Sequence, residues 1–325
     1  TTRIYRLKNI ETKSLQTVFK RKYLQDDFNP ENEEQVAGEY EKLLSSEITS
    51  KKELEIFLER WSDFSSVLDE SGSVAYVNMT CNTKDKTAEA KYLHLVEKIS
   101  PICEKFEDLL KDKFLDSEFI NQLDDKYYSL FIKKTKVEKE IFRTENIPLF
   151  TEDSILCQNY QKITGSWMVE FEGKKYTVQE MAPFQEKQDR SIREKSYKAR
   201  IEVHLKDKDN LENLYDEMLN VRGRIAHNAG FSDYRDYMFK AKHRFDYTPD
   251  DCMRFHDAIG ETVTPLLNDW MKIRCKKLSV ETIRPWDLNV DPDGFDVIHV
   301  FNSQEELCEK VGKIFSHLNP YISEC

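Results

Sequence analysis

The sequence is short of the residues that punctuate loop-rich and β-rich folds, with 9 Gly and 9 Pro among 325 residues. A sandwich or barrel needs many more turns than these could make, which argues against an all-β fold. Long apolar runs are missing as well. No stretch reaches the roughly 18 residues that a spanning helix requires, and no secretory leader opens the chain, so neither membrane nor export is expected. Positive charge is in deficit: 49 Lys and Arg against 60 Asp and Glu leave a net charge of -11, which speaks against nucleic acid as the main partner. Paired cysteines are lacking too. The seven Cys, at 81, 103, 157, 252, 275, 308 and 325, form no CxxC pair. An odd, unpatterned set reads as free thiols in a reducing compartment, and a cytoplasmic location is expected.

What is present is helical periodicity. Glu33 to Ile48 carries Val36, Tyr40, Leu43 and Leu44 on one face. Ser50-Lys51-Lys52-Glu53 is a capping box that opens a helix through Leu54, Phe57, Leu58, Trp61 and Phe64. Residues 73 to 80 have strand-like composition, but no turn signal encloses them and the helix is expected to continue. A long helix is expected from Lys84 to Leu110, kinked or divided at Pro101. Phe119 to Asn146 continues in the same style. Residues 1 to 30 read as a polar lead-in anchored by Leu7, Leu15, Val18, Phe19 and Tyr23.

Residues 167 to 178 break the pattern. Trp167 to Phe171, the turn Glu172-Gly173-Lys174-Lys175, and Tyr176-Thr177-Val178 predict one small hairpin. A helix then starts near Asp189, and Asp209 is the expected cap of the next. Val221 to Tyr237 forms a corner: the helix ends at Gly230, Ser232 is the expected N-cap of the following helix, and Phe231, Tyr234 and Tyr237 recur every three residues. Thr248-Pro249 opens a helix that passes Pro265 to Ile273. Arg284 to Leu288 is expected to be an extended link, because Pro285 pushes Arg284 out of the helical region. Ser303 to Leu318 is the last helix.

Candidate chemistry is sparse. The His residues stand at 94, 204, 227, 243, 256, 299 and 317, and no two flank a Glu at the spacing of a zinc helix. No phosphate loop, dinucleotide fingerprint or nucleophile elbow occurs. Arg222, Arg224 and Arg244 could hold a peptide carboxylate, or form interhelix salt bridges. Phe231, Tyr234 and Tyr237 could line a cleft or fill a core. Asp287 could orient a neighbouring element through a buried hydrogen bond, or cap a turn.

An ordered set of residues adds to this. It runs Asp189, Arg190 and Arg193; Arg222-Gly223-Arg224-Ile225-Ala226; Ala229-Gly230-Phe231; Asp233-Tyr234; Asp236-Tyr237; Arg244-Phe245-Asp246-Tyr247-Thr248; Val263-Thr264-Pro265-Leu266; and Pro285-Trp286-Asp287-Leu288. With the hairpin and Leu318-Asn319-Pro320, this set resembles oligoendopeptidase F and the thimet-oligopeptidase-like zinc metallopeptidases. The likeness is good from about 165 to 325 and looser from 1 to 150. The resemblance implies a mainly α fold of long antiparallel helices, forming a bundle and one wall of a channel that admits short unstructured peptides. It also implies a zinc ion held by a His-Glu-x-x-His helix and a further Glu.

No His-Glu-x-x-His occurs in these 325 residues. No catalytic residue and no metal ligand is therefore carried over, and no substrate-binding residue is assigned. Residues 1–150 are expected to be an N-terminal helical bundle domain, and 151–325 the start of the helical peptidase domain, stopping before the zinc helix. The chain begins at Thr1 and ends at Cys325 directly behind a helical pattern, and both ends are expected to be cut. The full-length protein is expected to be a zinc metalloendopeptidase acting on short peptides, with this chain inactive alone and its partner the missing C-terminal catalytic half. The alternative is a non-catalytic helical module, derived from that fold, that binds peptides or proteins.

Overall fold

Thirteen residues, Glu33–Ser45, make the first helix (α1), because Asn32 accepts a hydrogen bond from the Gln35 backbone and Val36, Tyr40 and Leu43 share a buried face. The computed structural model describes residues 21–295, 297–298, 300–319 and 321–322, so the expected anchors Leu7, Leu15, Val18 and Phe19 lie outside the described residues, as do His299, Pro320 and Cys325. Two compact units result: residues 21–166 with 207–257, and residues 167–206 with those from 258 onward.

In the first unit, α2 (Lys51–Cys81) runs unbroken through 73–80, as expected, and buries Ala75 and Met79 there. Its cap is a variant of the expected box. Ser50 accepts from the Glu53 backbone at 3.3 Å, while the Glu53 carboxylate reaches one residue further back, to the Thr49 backbone at 2.6 Å. The helix expected over Lys84 to Leu110 divides into α3 (Lys86–His94) and α4 (Ser100–Leu115), joined by one wide π turn over Leu95–Ile99. Pro101, in the first turn of α4, has no N–H to give and would crowd the carbonyl four residues earlier; the wider turn relieves both problems.

Expected as one helix, Phe119 to Asn146 is shorter. A 3-10 turn (Ile120–Gln122) precedes α5 (Asp125–Ile141), because Leu123 is extended and the Asp124 side chain caps the new start. Next comes α6 (Ile147–Gly165), which the periodicity did not mark, then α8 (Lys208–Asn228) and α9 (Tyr234–Ala241). Two expected caps move. Asp207, not Asp209, stands at the start of α8, and Asp209 sits in the first turn, where its charge suits the positive end of the helix. Asp233, not Ser232, caps α9, its carboxylate accepting from the Asp236 backbone at 2.8 Å. Gly230 ends α8 as expected, with φ +87. The core holds one cluster around Tyr40, Leu54, Phe64, Leu110 and Phe114, and another of Leu149, Leu156, Met218, Val221, Ile225 and Tyr237.

The second unit opens with the expected hairpin, β1 (Met168–Phe171) antiparallel to β2 (Lys174–Thr177), with Phe171 opposite Lys174. The turn is shorter than the expected Glu172 to Lys175: Glu172 and Gly173 both take positive φ, a two-residue turn whose twist matches the strands, and Lys174 and Lys175 already belong to β2. Val169, Phe171 and Met181 form a small core against α7 (Arg190–Lys206). The 30-residue α10 (Pro249–Leu278) runs from the first unit into the second, capped by Thr248, which accepts from the Asp251 backbone at 3.2 Å. Arg284 is extended, as Pro285 requires, but Pro285–Asp287 closes a 3-10 turn because Asp287 accepts from the Arg284 backbone at 3.0 Å. The last described helix, α11 (Gln304–Leu318), has Ser303 as its N-cap. The described residues are mainly α with one small hairpin.

Candidate functional site

Arg190, Arg193 and Asp287, drawn together from far apart in the sequence, form the most elaborate polar cluster of the second unit. Arg193 is 2% exposed and uses every arm of its guanidinium. Its Nε donates to the Trp286 carbonyl (2.8 Å), Nη1 to the Lys187 and Gln188 carbonyls (2.8 Å each), and Nη2 to Asp287 Oδ1 (3.0 Å). Arg190 holds the same carboxylate side-on, Nε to Oδ1 at 3.0 Å and Nη2 to Oδ2 at 2.8 Å. A third arginine was not singled out by the sequence. Arg274, on α10, donates to the carbonyls of Asp287 and Leu288 at 2.8 Å each, and also to that of Val290. Three arginines from two helices thus grip one short turn.

The chemistry of this cluster is fixed by saturation. Burial opposes ionisation of Asp287, but hydrogen bonds from Arg190, the Arg284 backbone and Arg193 outweigh it and hold the carboxyl down to about 2. Such a group stays charged at neutral pH and has no lone pair left for a metal or a proton in flight. Both readings of Asp287, orienting a neighbour and capping a turn, hold at once. The cluster positions α7, α10 and the 285–290 turn; it does not perform acid–base work.

The other candidates resolve toward packing. Arg222 pairs with Asp153 of α6 at 2.8 Å, and Arg224 approaches Glu152 of the same helix at 3.7 Å, so both serve as interhelix ties. Arg244 is different: it stacks on Phe239 (4.9 Å) and Tyr247 (5.8 Å) and has no carboxylate partner among the described residues. Tyr237 is buried, with Phe231 edge-on at 5.7 Å and Tyr234 stacked at 5.8 Å, so this row is core. Of the histidines, His94 bonds the Glu31 carbonyl, His204 stacks on Trp167, and His243 lies 3.1 Å from Glu138.

The sequence reading also missed Glu107, in the first unit. Its carboxylate accepts from Trp61 Nε1 at 2.9 Å and from the Tyr40 hydroxyl at 3.0 Å, and burial pushes its pKa up despite both bonds. A lone Glu among helix-face residues gives no sign of this, because its partners lie on two other helices. Among the described residues, no three His, Cys, Asp or Glu side chains converge in a way that could hold a metal ion. The zinc of the resembling family therefore has no fitting ligands among them. No helix of the described residues is long and apolar enough to cross a membrane.

Comparison with known proteins bears on what this scaffold belongs to. Residues 11–142 match the Peptidase M3 N-terminal domain, and residues 184–315 match Peptidase family M3. No curated protein matches the chain. Among solved structures, PZ peptidase A with an inhibitor superposes with a TM-score of 0.83 at 19% identity, over 93% of this chain and 53% of that one. A structure from Bacillus anthracis str. Ames described as an oligoendopeptidase F gives 0.83 at 17% identity, over 92% and 55%. Oligoendopeptidase-F from Enterococcus faecium gives 0.63 at 14% identity, over 86% and 55%. At these identities the likeness is one of fold, and the chain spans about half the length of the structures it matches. Because both domains of the family occur in it in order, the chain belongs to peptidase family M3.

Proposed function

We propose that these residues are the N-terminal part of a zinc metalloendopeptidase of the oligoendopeptidase F type. The full-length enzyme hydrolyses internal bonds of short peptides in the cytoplasm, and this chain alone is inactive. Its part is structural: it forms one wall of the peptide channel and carries the surface on which the catalytic part folds. The zinc ligands and the general base lie outside it, so no step of hydrolysis is assigned to its side chains.

One observation supports this most directly. Although α10 has 30 residues and a clear amphipathic pattern, none of them is buried. Its apolar stripe, Ile259, Val263, Leu266, Trp270 and Ile273, stands in solvent, with Leu266 61% and Trp270 68% exposed. A stripe of that kind is normally the face a helix packs with. An uncovered face of this kind is in keeping with solved structures about twice as long as this chain.

The decisive experiment is to read the coding sequence past Cys325 and assay both forms. A continuing frame with a His-Glu-x-x-His, peptidase activity in the full-length protein and none in the 325-residue chain are expected. A stop codon directly after Cys325 overturns the reading in favour of a non-catalytic binding module. One tight, stoichiometric zinc site on the 325-residue chain would also sink it.

A further inference from the structure

A small cavity in the first unit has no place in that reading. It lies among Tyr23, Leu24 and Gln25 of the lead-in, Glu39, Lys42 and Leu43 of α1, and Arg60 and Phe64 of α2, and encloses about 280 Å³. Its floor is carbon: Leu24, Leu43 and Phe64 all belong to the core cluster. Its rim is charged. That size is just under the roughly 300 Å³ at which pockets for drug-sized ligands begin, so its occupant is small.

The charges on the rim do not cancel. Lys42 is paired with Glu39. Of the other acids nearby on α2, Glu59 is taken by Lys22 and by the Tyr23 hydroxyl at 2.6 Å. Asp63 is taken by the backbone N–H groups of Lys22 (3.2 Å) and Tyr23 (2.8 Å). Arg60 has no carboxylate partner among the described residues. Its guanidinium lies 5.5 Å from the centre of the Tyr23 ring, and the bonds from Tyr23 to Glu59 and Asp63 fix that ring in place. A cation–π contact uses none of the guanidinium's forked N–H donors, which stay available to an acceptor. The site therefore offers one planar cation, set over an aromatic ring, above an apolar floor.

We propose that this cavity binds a carboxylate carried on a short branched or straight apolar stem, with Arg60 taking the carboxylate side-on and Leu24, Leu43 and Phe64 covering the stem. A phosphate fits less well, because its second charge would find no further unpaired cation on the rim and the floor offers carbon rather than donors. Two sources share this chemistry: the C-terminal carboxylate of a peptide ending in an apolar residue, and a free short-chain carboxylic acid.

The test is a ligand-observed NMR titration of the 325-residue chain with N-acetyl-leucine, 4-methylpentanoate and the uncharged 4-methylpentanamide. At least one of the two acids should bind with a millimolar dissociation constant, and the amide at least fivefold more weakly. Arg60→Gln should weaken the acid at least fivefold, and Arg60→Lys should restore part of the loss. Preference for N-acetyl-leucine identifies the peptide terminus, and preference for 4-methylpentanoate the free acid. Arg60 is exposed, so the variants should keep the parent's circular dichroism and unfolding midpoint. Binding of neither acid, or equal binding by Arg60→Gln in a folded variant, overturns the proposal.

Discussion

At Asp287 a carboxylate with no exposed surface stays ionised because four N–H groups point at it, two from Arg190 and one each from Arg193 and the Arg284 backbone. Removing the charge leaves Arg193 buried without its partner, a change that costs on the order of 3–5 kcal/mol. Asp287→Asn should lower stability by that much at pH 7, measured by urea unfolding. The pH dependence follows from the same bonds. The folded carboxyl titrates at about 2, below its ordinary 3.8, so its contribution is complete above the ordinary value and is lost as pH falls from there through 2. The difference amounts to about 2 kcal/mol. Stability profiles of parent and Asp287→Asn should converge by about that amount between pH 5 and 2; parallel profiles would contradict the assignment. The sequence marked Arg190 and Arg193 by their order alone, which gave them no role, and Asp287 also as an orienting or turn-capping side chain. It could not mark Arg274, whose acceptors are backbone carbonyls of a turn 13 to 16 residues away, because backbone acceptors leave no trace in residue type.

Helix ends and helix interiors pull glycine in opposite directions, and α8 offers both within eight residues. Gly230, at its end, holds φ +87, a conformation that costs an alanine about 1 kcal/mol, and no atom stands within 4 Å of the added methyl to change that figure. Gly223, inside α8, also has open space at its Cβ position, and there an alanine should gain about 0.5–1 kcal/mol. Thermal unfolding of Gly230→Ala and Gly223→Ala should therefore shift in opposite senses; shifts of the same sign would mean that backbone preference does not govern this corner. Elements of this kind were legible where the signal is local: the Gly230 stop, the Thr248-Pro249 start and the existence of the hairpin around Gly173. They were misread where two local solutions compete. Ser232 and Asp233 can both cap α9, and Asp209 and Asp207 can both open α8; geometry, not residue type, decides between such neighbours. The division of α3 from α4 was foreseen from Pro101, but its means, a widened turn rather than a kink, depends on how Leu95, Val96 and Ile99 pack.

For the whole molecule the informative feature is apolar surface left uncovered. Which residues are apolar and helically spaced on α10 was readable from the sequence, but whether that stripe is covered depends on what else packs there, and periodicity is silent on this. The composition of the two units was hidden for the same reason: contacts between residues far apart in sequence bring 207–257 together with 21–166. An exposed stripe should bind a hydrophobic dye such as ANS, and the binding should map to it. Leu266 and Trp270 lie four residues apart on one face of α10, and both are more than half exposed. Replacing both with lysine removes apolar surface without touching a buried contact, so the double variant should keep its circular dichroism and urea midpoint while losing at least half of the dye fluorescence. Unchanged fluorescence would place the sticky surface elsewhere and remove the main physical support for a docking face on α10. Loss of helix in the variant would show instead that these side chains already pack within this chain. If α10 docks a further part as proposed, the same two lysines should also lower the peptidase activity of the full-length protein, because apolar burial there would be replaced by two charges with no partner.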